Sequence, residues 1–183
     1  RWLRGSGQET RRPFTYTKNN HFVFGFNQEP FGRRQKPTDS FFAQYGGCRR
    51  SPLDFRAECL IAAREIAALT QRPIYLCFSG GVDSEVLCES FRYARIPFRI
   101  IIARYNGDLN IHDYQWALKY CQKHRIKPDF FDLDVHQFYA SEEYRQIAND
   151  SQLIYPMLAT TMKLMEHVCQ MGGLPILGSA ECY

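Results

Sequence analysis

The chain has 183 residues, of which 45% are hydrophobic and 23% are charged, a composition typical of one globular domain with its own core. No apolar run approaches the roughly 20 residues that a membrane span needs, and the amino-terminal stretch lacks the apolar centre of a signal peptide. We therefore expect a cytoplasmic protein that does not associate with membranes.

The cysteines favour a reduced, intracellular protein. There are seven, an odd number, and no two stand at Cys-x-x-Cys spacing. Zinc ligands and disulfide frameworks both leave recognisable spacings, which are absent here. Cys77 and Cys88 lie within apolar patterns, where a free thiol behaves as a small hydrophobic group. We expect no zinc site.

Residues 1–50 differ from the rest of the chain in charge. They contain ten Arg or Lys against three acids, a balance of +7, whereas the remaining residues have a balance of −3. Aromatic residues are interleaved with these charges: Phe14, Tyr16, Phe22, Phe24, Phe26 and Phe31. Such a segment could bind nucleic acid or a partner subunit, or be a solvated arm that packs its aromatics on the domain. We treat residues 1–50 as an arm and residues 51–183 as a domain.

The first elements in chain order are a short strand and a helix. The alternation in "HFVFGF" predicts a strand over 21–26, followed by irregular chain to about residue 50. Ser51, Pro52 and Asp54 form a Ser-x-x-Asp capping pattern, which predicts a helix from there to about residue 69. Its expected core positions recur at helical spacing: Leu53, Ala57, Leu60, Ile61 and Ala68.

The remaining chain alternates strands with helices. The expected strands are 74–78, 98–104, 129–134 and 174–178. The expected helices run from the glycine turn to about 95, from 110 to 124, over 135–148 with Asp134 as cap, and over 157–171. This alternation predicts an α/β fold, an open parallel Rossmann-like sheet with helices on both faces.

The stretch "YLCFSGGVDSEVL", residues 75–87, takes the chain from a buried strand through two glycines into a helix. Ligands of open parallel sheets bind at the carboxyl ends of strands, where this turn lies. Glycines permit close backbone approach, and helix amino termini favour anions. Ser79 and Ser84 add hydroxyl donors for phosphate. Asp83 would repel phosphate unless a cation lay between them, which implies Mg²⁺. The structural alternative is a strand-to-helix turn capped by Ser and Asp.

The hexapeptide Ser79-Gly80-Gly81-Val82-Asp83-Ser84 resembles the pyrophosphate-binding loop of the ATP pyrophosphatase family, also called the PP-loop or adenine nucleotide alpha hydrolase family. No Lys follows the glycines, so it is not a Gly-x4-Gly-Lys-Ser/Thr loop. The resemblance implies that ATP binds here and that a substrate oxygen attacks its α-phosphate. Pyrophosphate then leaves, and a nitrogen or sulfur nucleophile resolves the adenylated intermediate.

Residues 155–183 resemble the synthetase domain of asparagine synthetase, in which a Pro-Met start leads into a lysine-bearing helix and a strand ends in an acidic loop. Pro156, Met157 and Lys163 fall at corresponding places. The resemblance implies that Lys163 contacts the β- and γ-phosphates and that Glu181 is a second Mg²⁺ ligand. The alternatives are a solvated lysine and a surface acid.

The family further implies an adenine contact by backbone groups around Ala103 to Tyr105. Asn106 and Asp108 could touch the nucleotide or substrate, although an Asn-Gly-Asp turn is the simpler interpretation. The carboxyl-terminal loop also resembles that of nucleobase-modifying members such as the cyano-deazaguanine synthase. The acceptor therefore stays open between another small molecule and a nucleobase.

Two departures from asparagine synthetase matter. The sequence does not include the glutaminase domain of asparagine synthetase, so we expect ammonia to come free or from a partner. We also expect the α/β domain of this protein to continue beyond Tyr183. The sequence thus predicts an ATP-dependent ligase or amidotransferase-like synthetase that forms AMP and pyrophosphate. The alternative is a structural nucleotide-binding subunit whose basic arm mediates assembly or nucleic-acid contact.

Overall fold

The computed structural model describes residues 22–30, 32–45, 50–151 and 155–178. The chain divides into two units, Arg1–Pro52 and Leu53–Tyr183. Most of the basic arm and Glu181 lie outside the described residues, so the predictions about them stay predictions.

The first unit contains a three-stranded antiparallel sheet. Its strands are β1 (Phe22–Phe26), β2 (Glu29–Pro30) and β3 (Phe41–Tyr45), in the order β2-β1-β3. The predicted first strand is confirmed, but the chain after it is not irregular as expected. Asn27 and Gln28 both have positive φ, 52° and 64°, which is the conformation of a tight hairpin turn.

The second unit is an α/β unit. Its strands are β4 (Ile74–Cys77), β5 (Arg99–Tyr105), β6 (Asp129–Leu133) and β7 (Leu174–Leu177). Its helices are α1 (Phe55–Ala68), α2 (Val82–Tyr93), α3 (Ile111–His124), α4 (Val135–Ala140), α5 (Glu142–Ser151) and α6 (Pro156–Gln170). All strand pairs are parallel, in the order β6-β5-β4-β7. The predicted open parallel sheet is confirmed.

Side-chain alternation along β4 sends neighbouring residues to opposite layers. Leu76 and Phe78 belong to a core with α1, α2 and α3, whereas Tyr75 and Cys77 pack with Leu164 of α6. Crossover connections are right-handed, so the steps from β4 to β5 to β6 put α2 and α3 on one face. The return from β6 to β7 puts α6 on the other, and the sheet has helices on both faces as predicted.

Strand order reverses beside β4, because the chain moves to β5 and β6 on one side and then returns to β7 on the other. Such a switch point opens a crevice at the carboxyl ends of the two flanking strands. The turn after β4 and Gly178 after β7 meet at this place. A Cβ on Gly178 would lie 2.9 Å from the Asp83 carbonyl oxygen, so the end of β7 closely approaches the first turn of α2.

The expected start of the first helix is wrong by about one turn. The cap is Asp54, whose Oδ1 accepts a hydrogen bond from the Ala57 N–H at 2.9 Å, and Ser51 lies outside the helix. The expected core face is also shifted. Ala63 is the buried residue of α1, whereas Leu53 is 56% exposed.

The helix expected over 135–148 is two helices. Asp134 caps the first, as predicted, by accepting from the Gln137 N–H at 3.0 Å. Ser141 is extended, with ψ of 158°, and its Oγ accepts from the Tyr144 N–H at 3.1 Å. Ser141 therefore ends α4 and caps α5.

Among the described residues, no helix is both long enough and apolar enough to cross a membrane.

Candidate functional site

The turn Phe78–Gly81 connects β4 to α2, and its backbone conformation at Gly80 is one that a residue with a side chain could not adopt without strain. Gly80 has φ of +91°, which L side chains rarely adopt. A Cβ there would lie 2.5 Å from the Asp113 carbonyl oxygen and 2.9 Å from the Ala117 nitrogen, both backbone atoms of α3. Gly80 therefore lets the turn pack directly on α3.

The backbone angle and the surroundings of Gly81 differ from those of Gly80. Its φ is −78°, and the atom nearest to an added Cβ is the Ser79 Oγ at 3.5 Å. Among the residues that the structure describes, no packing contact requires a glycine here. The missing side chain instead leaves the backbone at the start of α2 open to a ligand.

The two serines of the turn have separate roles. Ser84 is buried, and its Oγ donates to the Gly81 carbonyl at 2.8 Å. Ser79 is exposed; its Oγ lies 3.2 Å from the Ser84 Oγ and accepts from the Gly81 N–H at 3.3 Å. Ser84 thus fixes the turn, while Ser79 stands at its surface.

The first turn of α2 provides the electrostatic part of the site. Backbone N–H groups in a first helical turn have no partner within the helix, and the helix dipole makes this end positive. The exposed Asp83 places a carboxylate beside them. The turn thus fits a phosphate group together with a bridging divalent cation, which Asp83 would hold. Within the described ranges, no three His, Cys, Asp or Glu side chains cluster as a metal site.

The backbone groups predicted to contact adenine are already hydrogen-bonded. Asn110 Oδ1 accepts from the Tyr105 N–H at 2.8 Å, and Asn110 Nδ2 donates to the Ala103 carbonyl at 2.9 Å. Asn110 immediately precedes α3, close to where the sequence predicted the helix to begin, but its side chain does not cap that helix. Its side-chain amide instead bridges two backbone groups at the end of β5.

Asn106 and Asp108 also have partners within the unit. Asn106 Oδ1 accepts from the Val135 N–H at 3.0 Å, and Asp108 Oδ1 accepts from the Tyr114 hydroxyl at 2.6 Å. The bond to Asp108 raises the pKa of Tyr114 above its usual value. Both residues join elements at the carboxyl edge of the sheet, consistent with the structural interpretation of the Asn-Gly-Asp turn.

A cavity of about 290 Å³ lies at the ends of β5 and β6. Its lining residues are Arg104, Tyr105, Asn106, Asp108, Tyr114, Asp132, Leu133 and Asp134. Arg104 donates to both carboxylate oxygens of Asp132, at 2.7 and 2.8 Å, and holds the pKa of that carboxyl below its usual range. The guanidinium is therefore already paired with a carboxylate of the neighbouring strand, in a solvent-exposed ion pair.

Lys163 lies on α6 with carboxylate partners. Its Nζ donates to Glu143 of α5 at 2.6 Å and to Glu166 at 3.0 Å. Partial burial lowers the pKa of Lys163, but the hydrogen bonds to Glu143 and Glu166 raise it more, so the net pKa lies above the usual value. Among the described residues, no hydrogen bond or ion pair joins the ammonium to the glycine turn.

Two features of this edge were missed by the sequence reasoning. The Tyr105 hydroxyl donates to the buried Thr160 Oγ1 at 3.0 Å and thereby ties the end of β5 to the first turns of α6. Trp116 on α3 lies beside Gly80 and is 56% exposed. No pattern in the local sequence predicts the hydrogen bond between Tyr105 and Thr160. The position of Trp116 beside the turn could have been predicted, because α3 follows the strand next to β4 and therefore begins at the same edge of the sheet.

No family model and no curated protein matches the chain. Among solved structures, the chain is similar to the NH3-dependent NAD synthetase from Campylobacter jejuni subsp. jejuni NCTC 11168 in complex with the nitrate ion, with 14% identity and a TM-score of 0.44. The similar region covers 68% of this chain and 55% of the synthetase chain, so this chain spans about half the length of that protein.

Proposed function

We propose that this chain is a PP-loop enzyme that binds ATP with Mg²⁺ at Ser79–Ser84 and transfers the adenylyl group to a substrate oxygen. The observation that carries the proposal is the glycine turn at the switch point. It combines an open backbone at Gly81, the amino terminus of α2 and an exposed carboxylate at Asp83. The motif of the turn resembles the pyrophosphate-binding loop of that family.

The chemistry follows from these groups. The substrate oxygen forms a bond to the α-phosphorus, the bond from that phosphorus to the α,β-bridging oxygen breaks, and pyrophosphate leaves with the electron pair. Backbone N–H groups at the start of α2 stabilise the charge on the departing phosphates. Asp83 would hold Mg²⁺, which when bound would neutralise phosphate charge. Glu181 is proposed as a further metal ligand.

Lys163 is proposed to stabilise the β- and γ-phosphates. In the structure its ammonium is bound to Glu143 and Glu166, so this role requires it to exchange at least one carboxylate for a phosphate. The Glu143 side chain is 54% exposed and on a different helix from Lys163, which makes it the partner easier to release.

The second half-reaction is proposed to be amidation or amination of the adenylated acceptor, as in asparagine synthetase. The acceptor is a small molecule or a nucleobase, and ammonia arrives free or from a partner protein. Residues 1–50 are proposed to contact a partner subunit or nucleic acid through their positive charge.

A structural nucleotide-binding subunit is the second candidate. The observation that favours it is the engagement of Lys163 by two carboxylates, which leaves the site without its expected phosphate-binding cation. Such a subunit would bind ATP without converting it.

The test is incubation of the protein with Mg²⁺, ammonium and α-labelled ATP, with each candidate acceptor in turn. We expect labelled AMP and an equal amount of pyrophosphate with the correct acceptor, and neither with Asp83→Ala. Labelled ADP would contradict the adenylyl-transfer chemistry. Tight nucleotide binding without turnover for any acceptor would favour the structural subunit.

A further inference from the structure

An open groove lies between helices α1 and α2. It consists of two cavities of about 330 and 470 Å³ that share four lining residues, Phe55 and Cys59 of α1 and Val86 and Ser90 of α2. We call it the α1–α2 groove. Soluble monomeric proteins rarely expose a large contiguous apolar surface, so a groove of this kind is typical of an interaction site.

The groove is lined both by exposed large side chains and by small ones. Phe55, at the start of α1, is 73% exposed, and Val82, at the start of α2, is 74% exposed. Cys59, Ala62 and Ser90 are small and leave the volume between the two helices unfilled. The same face of the protein therefore has a ring that lacks a cover and a space that lacks an occupant.

The groove also has one cation and one carboxylate that are not paired with each other. Arg56 of α1 and Glu85 of α2 are both exposed, and both line the larger cavity. Among the described residues, neither side chain forms an ion pair, and the Arg56 guanidinium lies over the Tyr93 ring, 4.5 Å from its centroid. Opposite charges thus remain available on the two sides of an apolar groove.

We propose that the α1–α2 groove is a homodimer interface, at which a second copy of this chain binds through its own α1 and α2. In a contact between two identical surfaces, residue i of one copy faces residue j of the other, and j faces i. Phe55 of each copy enters the groove of the other, and Arg56 of each copy pairs with Glu85 of the other. A second copy fits better than an unrelated partner, because this face already contains both members of each contact.

Sedimentation equilibrium of the full-length protein, without nucleotide, measures the association independently of the proposed function. We expect the parent protein to dimerise. Phe55→Ala should raise the dissociation constant of the dimer by about tenfold or more, because an aromatic anchor loses its contact. Leu69→Ala is the matched control: Leu69 follows α1 and is 86% exposed, but it does not line the groove, so the dissociation constant should not change.

Charge reversal tests the two-fold pairing itself. Arg56→Glu and Glu85→Arg should each weaken the dimer by about tenfold or more, because each places like charges opposite one another. An equimolar mixture of the two variants should dimerise like the parent. In the mixed dimer, one pair has both charges reversed and the other pair is unchanged, so both pairs are attractive. Mixing would not restore an association lost through misfolding of either variant.

Four results would overturn the homodimer interface. The first is a parent protein that stays monomeric at its highest soluble concentration. The second is a dimer unaffected by Phe55→Ala and by both charge reversals, since it would use another surface. The third is a mixture of Arg56→Glu and Glu85→Arg that stays as weakly associated as each variant alone. The fourth is loss of the dimer on deletion of residues 1–18 with no effect of Phe55→Ala, which would assign association to the basic arm.

Discussion

Gly80 and Gly81 are adjacent in sequence, but backbone conformation and packing require a glycine only at the first of them. Gly80 has a backbone angle that L residues avoid, and its α-hydrogen faces backbone atoms of α3. Gly81 has an ordinary angle, and an added Cβ there would make only an ordinary van der Waals contact, with the Ser79 Oγ at 3.5 Å. The sequence predicts that this turn is glycine-rich for ligand approach, but it cannot show that one of the two glycines serves packing alone, because the partner helix is 30 residues farther along the chain.

Substitution of each glycine by alanine should separate the two demands. Gly80→Ala should lower the free energy of unfolding by about 2 kcal/mol or more, from the left-handed backbone and the clash with α3. Gly81→Ala should stay within about 0.5 kcal/mol of the parent, since the smaller entropy of the unfolded chain offsets a poorer helix cap. Urea denaturation of both variants measures the difference. Equal losses would show that the turn is not packed on α3 in this way.

Lys163 illustrates a residue whose helix was predicted and whose partners were not. It lies two turns into α6, a helix whose first turns are tied to the end of β5. One carboxylate partner, Glu143, comes from α5, a helix that the sequence analysis merged with α4, and the other, Glu166, lies on α6 itself. The role at the phosphates therefore stays a proposal.

The ion pairs of Lys163 should be visible in the pH dependence of stability. The pKa of Lys163 is raised in the folded protein above its reference value of 10.5. Its stabilising contribution is thus complete below pH 10.5 and is lost as the pH rises through the folded pKa. Lys163→Met should lower the free energy of unfolding by about 1 kcal/mol at neutral pH, and the difference from the parent should shrink above pH 10.5.

Glu143→Gln is the matched control for this comparison, because it removes one carboxylate and keeps the lysine. It should lose less than Lys163→Met. A difference between parent and Lys163→Met that persists unchanged at pH 12 would show that packing, not charge pairing, accounts for the effect.

At the scale of elements, periodicity predicted every strand of the parallel sheet and the helices α2, α3 and α6, because apolar runs bounded by turns leave a strong signal. The ends of helices were less predictable. Both Ser51 and Asp54 are good caps, and only tertiary packing decides that the helix begins after the second. At Ser141, the following pair of glutamates is itself a helix-start signal that the longer apolar pattern obscured.

The start of α1 can be tested with its two candidate caps. Asp54→Ala should lower the free energy of unfolding by about 1 kcal/mol, since the Ala57 N–H loses its acceptor. Ser51→Ala should have an effect below about 0.3 kcal/mol, because Ser51 lies outside the helix and is exposed. The comparison uses chemical denaturation at neutral pH. A larger loss for Ser51→Ala would place the helix start where the sequence first suggested.

At the scale of the whole molecule, strand order decides where the functional residues meet. The sequence predicts alternating strands and helices, but it does not say which strands are neighbours, since β4 and β7 are about 100 residues apart in the chain and adjacent in the sheet. This order creates the crevice in which the glycine turn and Gly178 meet. The motif marks the candidate site, and the topology supplies its surroundings, including Trp116.

The central claim is that the turn Ser79–Ser84 binds the phosphates of ATP, and calorimetric titration with ATP and Mg²⁺ tests it most directly. The account predicts binding by the parent protein and by Asp150→Ala, a control that removes an exposed carboxylate of α5. It predicts that Gly81→Val blocks close backbone approach and abolishes binding, and that Asp83→Ala removes the Mg²⁺-dependent binding of ATP. Parent affinity in both Gly81→Val and Asp83→Ala would contradict it.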